Sequence, residues 1–113
     1  MFLIVTKYLI PKGYRGLAIF PFVFIKFGKD ATNRILVNHE KIHLRQQTEL
    51  LLLPFFIWYL LEYCFRLAQY KNVNLAYRNI SFEREAYANE SSFEYLNNRP
   101  SFRFLKYVNL KNQ

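Results

Sequence analysis

The chain has 113 residues, 16 Lys and Arg against 8 Asp and Glu for a net charge of +8, and 52% hydrophobic residues. A chain of this length buries one core, which excludes a two-domain enzyme or a large doubly wound fold, and its apolar content excludes a disordered basic tail. The lone cysteine, Cys64, can form no internal disulfide, so the cytosol or the cytosolic face of a membrane is expected rather than secretion.

Met1 to Val5 is apolar but lacks the basic lead, long apolar stretch and small-residue cleavage site of a secretory signal. Pro11, Gly13 and Gly16 mark turns. Leu17 to Phe27, dense in β-branched and aromatic residues, reads as one or two strands, with Pro21 forcing an edge position or a bend. Asp30-Ala-Thr-Asn33 offers N-caps for a helix over about Arg34–Leu53, which Pro54 ends or kinks. A second helix, about Phe55–Tyr70, is apolar almost all round, with Glu62 and Arg66 spaced as an ion pair. A third spans about Asn74–Leu96, where Asn97-Asn98-Arg99-Pro100 stops it. The expected fold is therefore mainly α with a short N-terminal β element. It forms one domain over 1–113: a β-rich lead-in (1–30), a helical metal-binding core (31–97) and a basic tail (98–113).

Leu50 to Leu61 is twelve residues without a charge, short of the roughly 18–20 that cross a bilayer. A buried core helix is the expectation. A membrane-embedded or interfacial helix is the alternative, because Trp58, Tyr59 and Tyr63 favour the headgroup zone. Charge is gathered at the ends: residues 1–34 carry six basic groups and one acid (+5), 35–98 carry six and seven (−1), and Arg99, Arg103, Lys106 and Lys111 give the tail +4. Such flanks suit an anionic membrane surface or simply keep an apolar protein soluble. No recognised motif supports a nucleic-acid role.

His39-Glu40-Lys41-Ile42-His43 is an HExxH sequence within the first expected helix, and the chain has no other histidine. Four residues make about one turn, so both imidazoles leave one face about 5–6 Å apart and can grip one metal ion. Glu40 reaches a water rather than the metal and can move its proton to a leaving amine. The alternative is two surface histidines on an amphipathic helix. A catalytic zinc takes three protein ligands, so the third is a carboxylate or Cys64. Glu49 lies too far along the helix to converge, and Glu62 is spaced to pair with Arg66. Glu83 and Glu85, on the third helix, remain.

Followed some forty residues later by Glu83-x-x-Ala86, the motif resembles the gluzincin pattern of zinc metallopeptidases, in which a glutamate on a later helix completes HExxH. The local likeness is to the membrane-associated peptidases that include HtpX, the CAAX prenyl proteases and the BlaR-type sensors, whose glutamate helix reads E-x-x-[AC]-D. The length is similar to a minigluzincin. The resemblance covers the two motif helices and implies a zincin-like core of about three helices, Zn²⁺ held by His39, His43 and Glu83, Glu40 as general base, and a peptide or protein substrate. Tyr87 stands where the pattern has Asp, so the carboxylate that supports a ligand histidine is missing from it. The shifted frame Glu85-x-x-Ala88-Asn89 is the rival, with Asn89 in that place. Glu83 is preferred because Ile80, Glu83, Ala86, Tyr87 and Glu90 form one stripe, in which Ala86 permits close helix approach. Phe82, Ala86, Asn89, Phe93 and Leu96 mark a core face, with Glu85 near it.

Two further parts are expected of such an enzyme. Leu17–Phe27 would supply an edge strand that pairs with an extended peptide, an ordinary core strand being the equal alternative, and a tyrosine or arginine, with Tyr87 the candidate, would donate to the oxyanion of the tetrahedral intermediate. A zinc-dependent hydrolase, a peptidase above all, is the leading expectation. The alternative is a non-catalytic basic, aromatic module that binds a membrane surface or an acidic partner. So small a chain offers little wall for a cleft, which points to a partner or to its own tail over the site.

Overall fold

The computed structural model describes residues 1–108. Three short strands open the chain: β1 (Phe2–Val5), β2 (Gly16–Ile19) and β3 (Phe22–Ile25). They form one sheet in the order β1-β3-β2, with β1 parallel to β3 (Leu3 opposite Val23) and β2 antiparallel to it (Ala18 opposite Val23). Pro21 falls in the turn between β2 and β3, where its missing N–H removes no ladder bond. A 3₁₀ turn, Gly28–Thr32, leads into α1 (Arg34–Leu50). Then follow α2 (Leu52–Tyr70), α3 (Val73–Arg78), α4 (Ser81–Asn89), a single turn α5 (Tyr95–Asn98) and a 3₁₀ turn at Arg103–Tyr107. The fold is mainly helical with an N-terminal sheet, as the sequence indicates.

Local chemistry accounts for the boundaries. Asn33 caps α1 by accepting from the Leu36 N–H at 3.1 Å, and Asn72 caps α3 by accepting from Leu75 N–H at 3.0 Å. The break between α1 and α2 lies at Leu51, whose backbone has a positive φ (65°) with an extended ψ (157°), and not at Pro54. Pro54 sits in the first turn of α2, where helix N–H groups have no carbonyl partner and proline costs little. The third helix is also divided. Asn79 closes α3 through its Nδ2, which donates to the Leu75 carbonyl at 2.7 Å, and α4 restarts at Ser81. Glu62 binds that new helix start: its Oε1 accepts from Ser81 N–H and its Oε2 from Ser81 Oγ, both at 2.7 Å. Glu62 is thus a cap for α4 and a partner of Trp58 Nε1 (3.1 Å), while the expected partner Arg66 donates to Gln69.

Two apolar clusters hold the layers. Ala18, Val23 and Ile25 pack against Leu44 of α1, joining sheet to helix. Phe55, Ile80, Phe82 and Phe104 join α2, α4 and the C-terminal turn. Phe82 stacks parallel to Tyr59 and meets Phe55 and Phe104 at 4.5 and 4.8 Å. The tail to residue 108 therefore lies against α4, with Phe104 on Phe82 and Tyr107 bonded to Arg84 and Asn89, and residues 109–113 are outside the described part.

The charge-free stretch Leu50–Leu61 is not a buried core helix. In all of α2 only Phe55 and Arg66 are buried, and Leu53 and Leu61 are 71% and 65% exposed. No single described helix is long and apolar enough to cross a membrane; α1 and α2 pass only as a pair bent by 112°.

Candidate metal centre

One turn apart on α1, His39 and His43 project from the same face toward α4. Their Nε2 atoms are 3.2 Å apart, and each lies 3.1 Å from Glu83 Oε1. All three side chains are buried, and together they form a group that could hold a metal ion. Ligand atoms on a tetrahedral zinc with bonds of about 2.0–2.1 Å stand about 3.3–3.4 Å apart, so the triangle would widen by only a few tenths of an ångström.

The protons on the rings make this geometry informative. His39 Nδ1 lies 2.9 Å from Glu90 Oε1, and a carboxylate only accepts, so Nδ1 donates. His43 Nδ1 lies 2.8 Å from Gln46 Oε1; the Gln46 amide donates to Phe82 O (3.1 Å) and Glu85 Oε1 (2.9 Å), which fixes Oε1 as the acceptor. Both neutral imidazoles then aim bare Nε2 lone pairs at a carboxylate oxygen. Three lone pairs within 3.2 Å repel unless a proton or a cation lies among them. Without a metal a proton does so. Burial opposes charge on His43, but the Glu83 carboxylate outweighs it and raises His43 to about 9. Burial likewise opposes the Glu83 carboxylate, and the two histidines hold it well below the usual range. A divalent cation would replace that proton.

A second layer orients these groups. Tyr59 donates from its hydroxyl to Glu83 Oε2 at 2.7 Å, leaving Oε1 for the histidines, and burial beside Glu83 keeps the phenol protonated. Glu90 supplies the carboxylate that the sequence pattern lacked at Tyr87. It stands seven residues, about two turns, beyond Glu83 and so on the same stripe. Glu85, the rival ligand, is fully buried elsewhere: it accepts from Arg99, from Tyr95 Oη (2.6 Å) and from Gln46. Glu49 accepts from the same Arg99 (2.7 Å) and from Phe102 N–H (2.9 Å). Both anchor the tail, and Cys64 is exposed on α2.

Glu40 lies beside the triangle and faces β2. It is buried, its pKa is pushed up by burial, and among the described residues no hydrogen-bond donor reaches its carboxylate. A Cβ on Gly16 would stand 3.0 Å from Glu40 Oε2 and 3.3 Å from its Cδ, so only glycine lets β2 come this close without displacement. β2 is the sheet edge nearest α1. Arg15 O accepts from Lys26 N–H, and the alternation of an antiparallel ladder then turns the main-chain groups of Gly16, Ala18 and Phe20 away from β3. Gln47, one turn beyond His43, takes two of them, donating to Ala18 O and accepting from Phe20 N–H at 2.7 Å each. The N–H and C=O of Gly16 and the N–H of Ala18 stay on the open edge.

The cleft has two lobes. One, of about 580 Å³, is lined by His39 together with Lys12, Arg15, Arg78, Tyr87 and Glu90. The other, of about 440 Å³, is lined by His43 and Glu83 together with Leu17, Phe55, Phe56 and Leu60. Tyr14, Gly16, Glu40 and Tyr77 wall both. The Tyr87 ring meets the His39 ring edge-on at 4.5 Å, and its hydroxyl lies 3.4 Å from that of Tyr77. Burial raises the pKa of both phenols. No residue after Glu90 lines either lobe, so the described part of the tail does not cover the site.

No family description, curated protein or solved structure matches the chain.

Proposed function

We propose that this protein is a small gluzincin-like zinc-dependent hydrolase that cleaves peptides. The observation that carries the reading is the meeting of three lone pairs at 3.1–3.2 Å beside a buried carboxylate, Glu40, that no hydrogen-bond donor among the described residues reaches. In this reading His39, His43 and Glu83 hold zinc, Glu90 and Gln46 fix the imidazoles through their Nδ1 hydrogens, and Tyr59 fixes Glu83. A bound zinc ion supplies Lewis acidity, polarising a carbonyl and acidifying water.

Glu40 then takes a proton from the attacking water. As the water oxygen bonds to the carbonyl carbon and the C–N bond breaks, Glu40 returns that proton to the leaving nitrogen. Burial raises its pKa, which makes the carboxylate a stronger base for the first transfer. The free main-chain groups of Gly16 and Ala18 hold the peptide as an added strand. Tyr87 and Tyr77, kept protonated by burial, are the donors available to the carbonyl oxygen as negative charge builds on it.

The test is metal content with mutation. Purified protein should carry one zinc, His39→Ala should lose it, and Glu40→Gln should keep zinc while abolishing peptide hydrolysis. Protein that takes up no zinc, or His39→Ala with undiminished zinc, overturns the reading.

A second reading, a non-catalytic module on a membrane surface or an acidic partner, is favoured by the exposed apolar face of α2. Four protein ligands on the metal would support it, since no position would be left for water. Loss of hydrolysis in Glu40→Gln would dismiss it.

A further inference from the structure

The two lobes of the cleft differ in chemistry, and two cations in the first, Lys12 and Arg78, are engaged by no acid among the described residues. Arg15 is held by Asp30 through two bonds, Nη2 to Oδ1 at 2.7 Å and Nε to Oδ2 at 3.1 Å, and Glu90 is held by His39. Lys12 and Arg78 have no carboxylate within ion-pair distance among the described residues. Arg78 is also positioned. Its guanidinium lies 4.0 Å from the centroid of the Tyr87 ring, which in turn abuts His39. Stacking fixes the plane of a guanidinium while leaving its N–H edge open, the arrangement that accepts a carboxylate through two parallel hydrogen bonds. The opposite lobe presents Leu17, Phe55, Phe56 and Leu60, an apolar wall sized for an aromatic or branched side chain.

We infer that the substrate peptide carries a bulky apolar residue on one side of the scissile bond and a carboxylate on the other, and that Arg78 is the residue that binds the carboxylate. The inference rests on the hydrolase reading and sharpens it, since it names the class of peptide cleaved. Lys12 adds a second positive charge at the same lobe and strengthens the field without fixing geometry.

The experiment uses the zinc-loaded 113-residue chain and phosphinic pseudopeptides, in which a phosphinate replaces the scissile amide. Four ligands place Phe and Glu, or Phe and Gln, on either side of the phosphinate in both orders, and dissociation constants are read by calorimetry. In one order the Glu ligand should bind about tenfold tighter than its Gln counterpart. Arg78→Met should remove most of that preference, leaving only the remainder due to the Lys12 field, and Arg78→Lys should restore part of it. A further pair, with Gly in place of Glu and a C-terminal carboxylate or amide, separates a terminal carboxylate from a side-chain one. Equal binding of every charged and neutral pair by the unmutated protein overturns the inference alone, whatever the variants do. Binding of none of the ligands by zinc-loaded protein overturns the hydrolase reading with it.

Discussion

Replacing Glu90 by alanine tests the second layer of the centre. Its carboxylate accepts from His39 Nδ1 at 2.9 Å, which both holds the ring in one tautomer and makes Nε2 a better electron donor. Loss of such a partner typically costs 10–100-fold in metal affinity, roughly 1.4–2.8 kcal/mol. The Glu90 side chain is 24% exposed while His39 is 6% exposed. Water therefore screens part of the charge and can partly replace the lost acceptor, which places Glu90→Ala near tenfold. Glu90→Gln keeps a neutral acceptor and should lose less, on the order of threefold. Zinc dissociation constants from competition with a chromophoric chelator measure both, with circular dichroism reporting the fold. An affinity for zinc in Glu90→Ala equal to that of the unmutated chain would refute the reasoning, because the ring would then need no carboxylate to orient it.

Three other outcomes are expected. Gly16→Ala should retain zinc but lose most peptide hydrolysis, since its Cβ would displace Glu40 from 3.0 Å, and a misplacement of about 1 Å costs on the order of 100-fold; steady-state rates beside metal content check it. Phe82→Ala should lower unfolding free energy by about 3–5 kcal/mol in urea titration, because the ring is wholly buried among Phe55, Tyr59 and Phe104. A loss near that of a surface substitution would contradict the packing. Burial opposes charge on Glu85, but hydrogen bonds from Arg99, Tyr95 and Gln46 outweigh it and depress its pKa in the fold. A depressed carboxylate adds stability above its unfolded pKa of about 4.5 and loses it as pH falls through the folded value. Melting temperature should therefore drop on acidification below about pH 4.5, and less steeply in Glu85→Gln than in the unmutated chain.

The parts of the centre written as local spacing were legible before any coordinates. HExxH sets two imidazoles one turn apart on α1, and the stripe through Glu83 and Ala86 brings that carboxylate, and not Glu85, to the Nε2 atoms. Asn33 reads as a cap for the same reason, since the contact spans three residues. What the sequence concealed depends on distance in space. Glu62 has the spacing of an ion pair with Arg66, yet its carboxylate also bonds the start of α4 nineteen positions away through two donors. Glu90 carried a usable signal, its position two turns beyond Glu83, but it lies just past the end of α4. Tyr59 and Gln47 carried none: one is a tyrosine among nine and the other a glutamine whose partner strand is invisible in one dimension. The division of the third helix was concealed too, because its cause is Asn79 closing one helix where Glu62 opens the next.

His39, Glu40, His43, Gln46 and Gln47 all belong to α1, and from first to last they span about 12 Å of one rod at 1.5 Å per residue. Gln47 hooks the edge strand onto that rod, so the separation between the two histidines and β2 is set by helix pitch and two hydrogen bonds. Alignment of this kind does not draw on a large surrounding scaffold. It would survive in a domain too small to build its site on a large frame, and of the three grouped side chains only Glu83 comes from another helix.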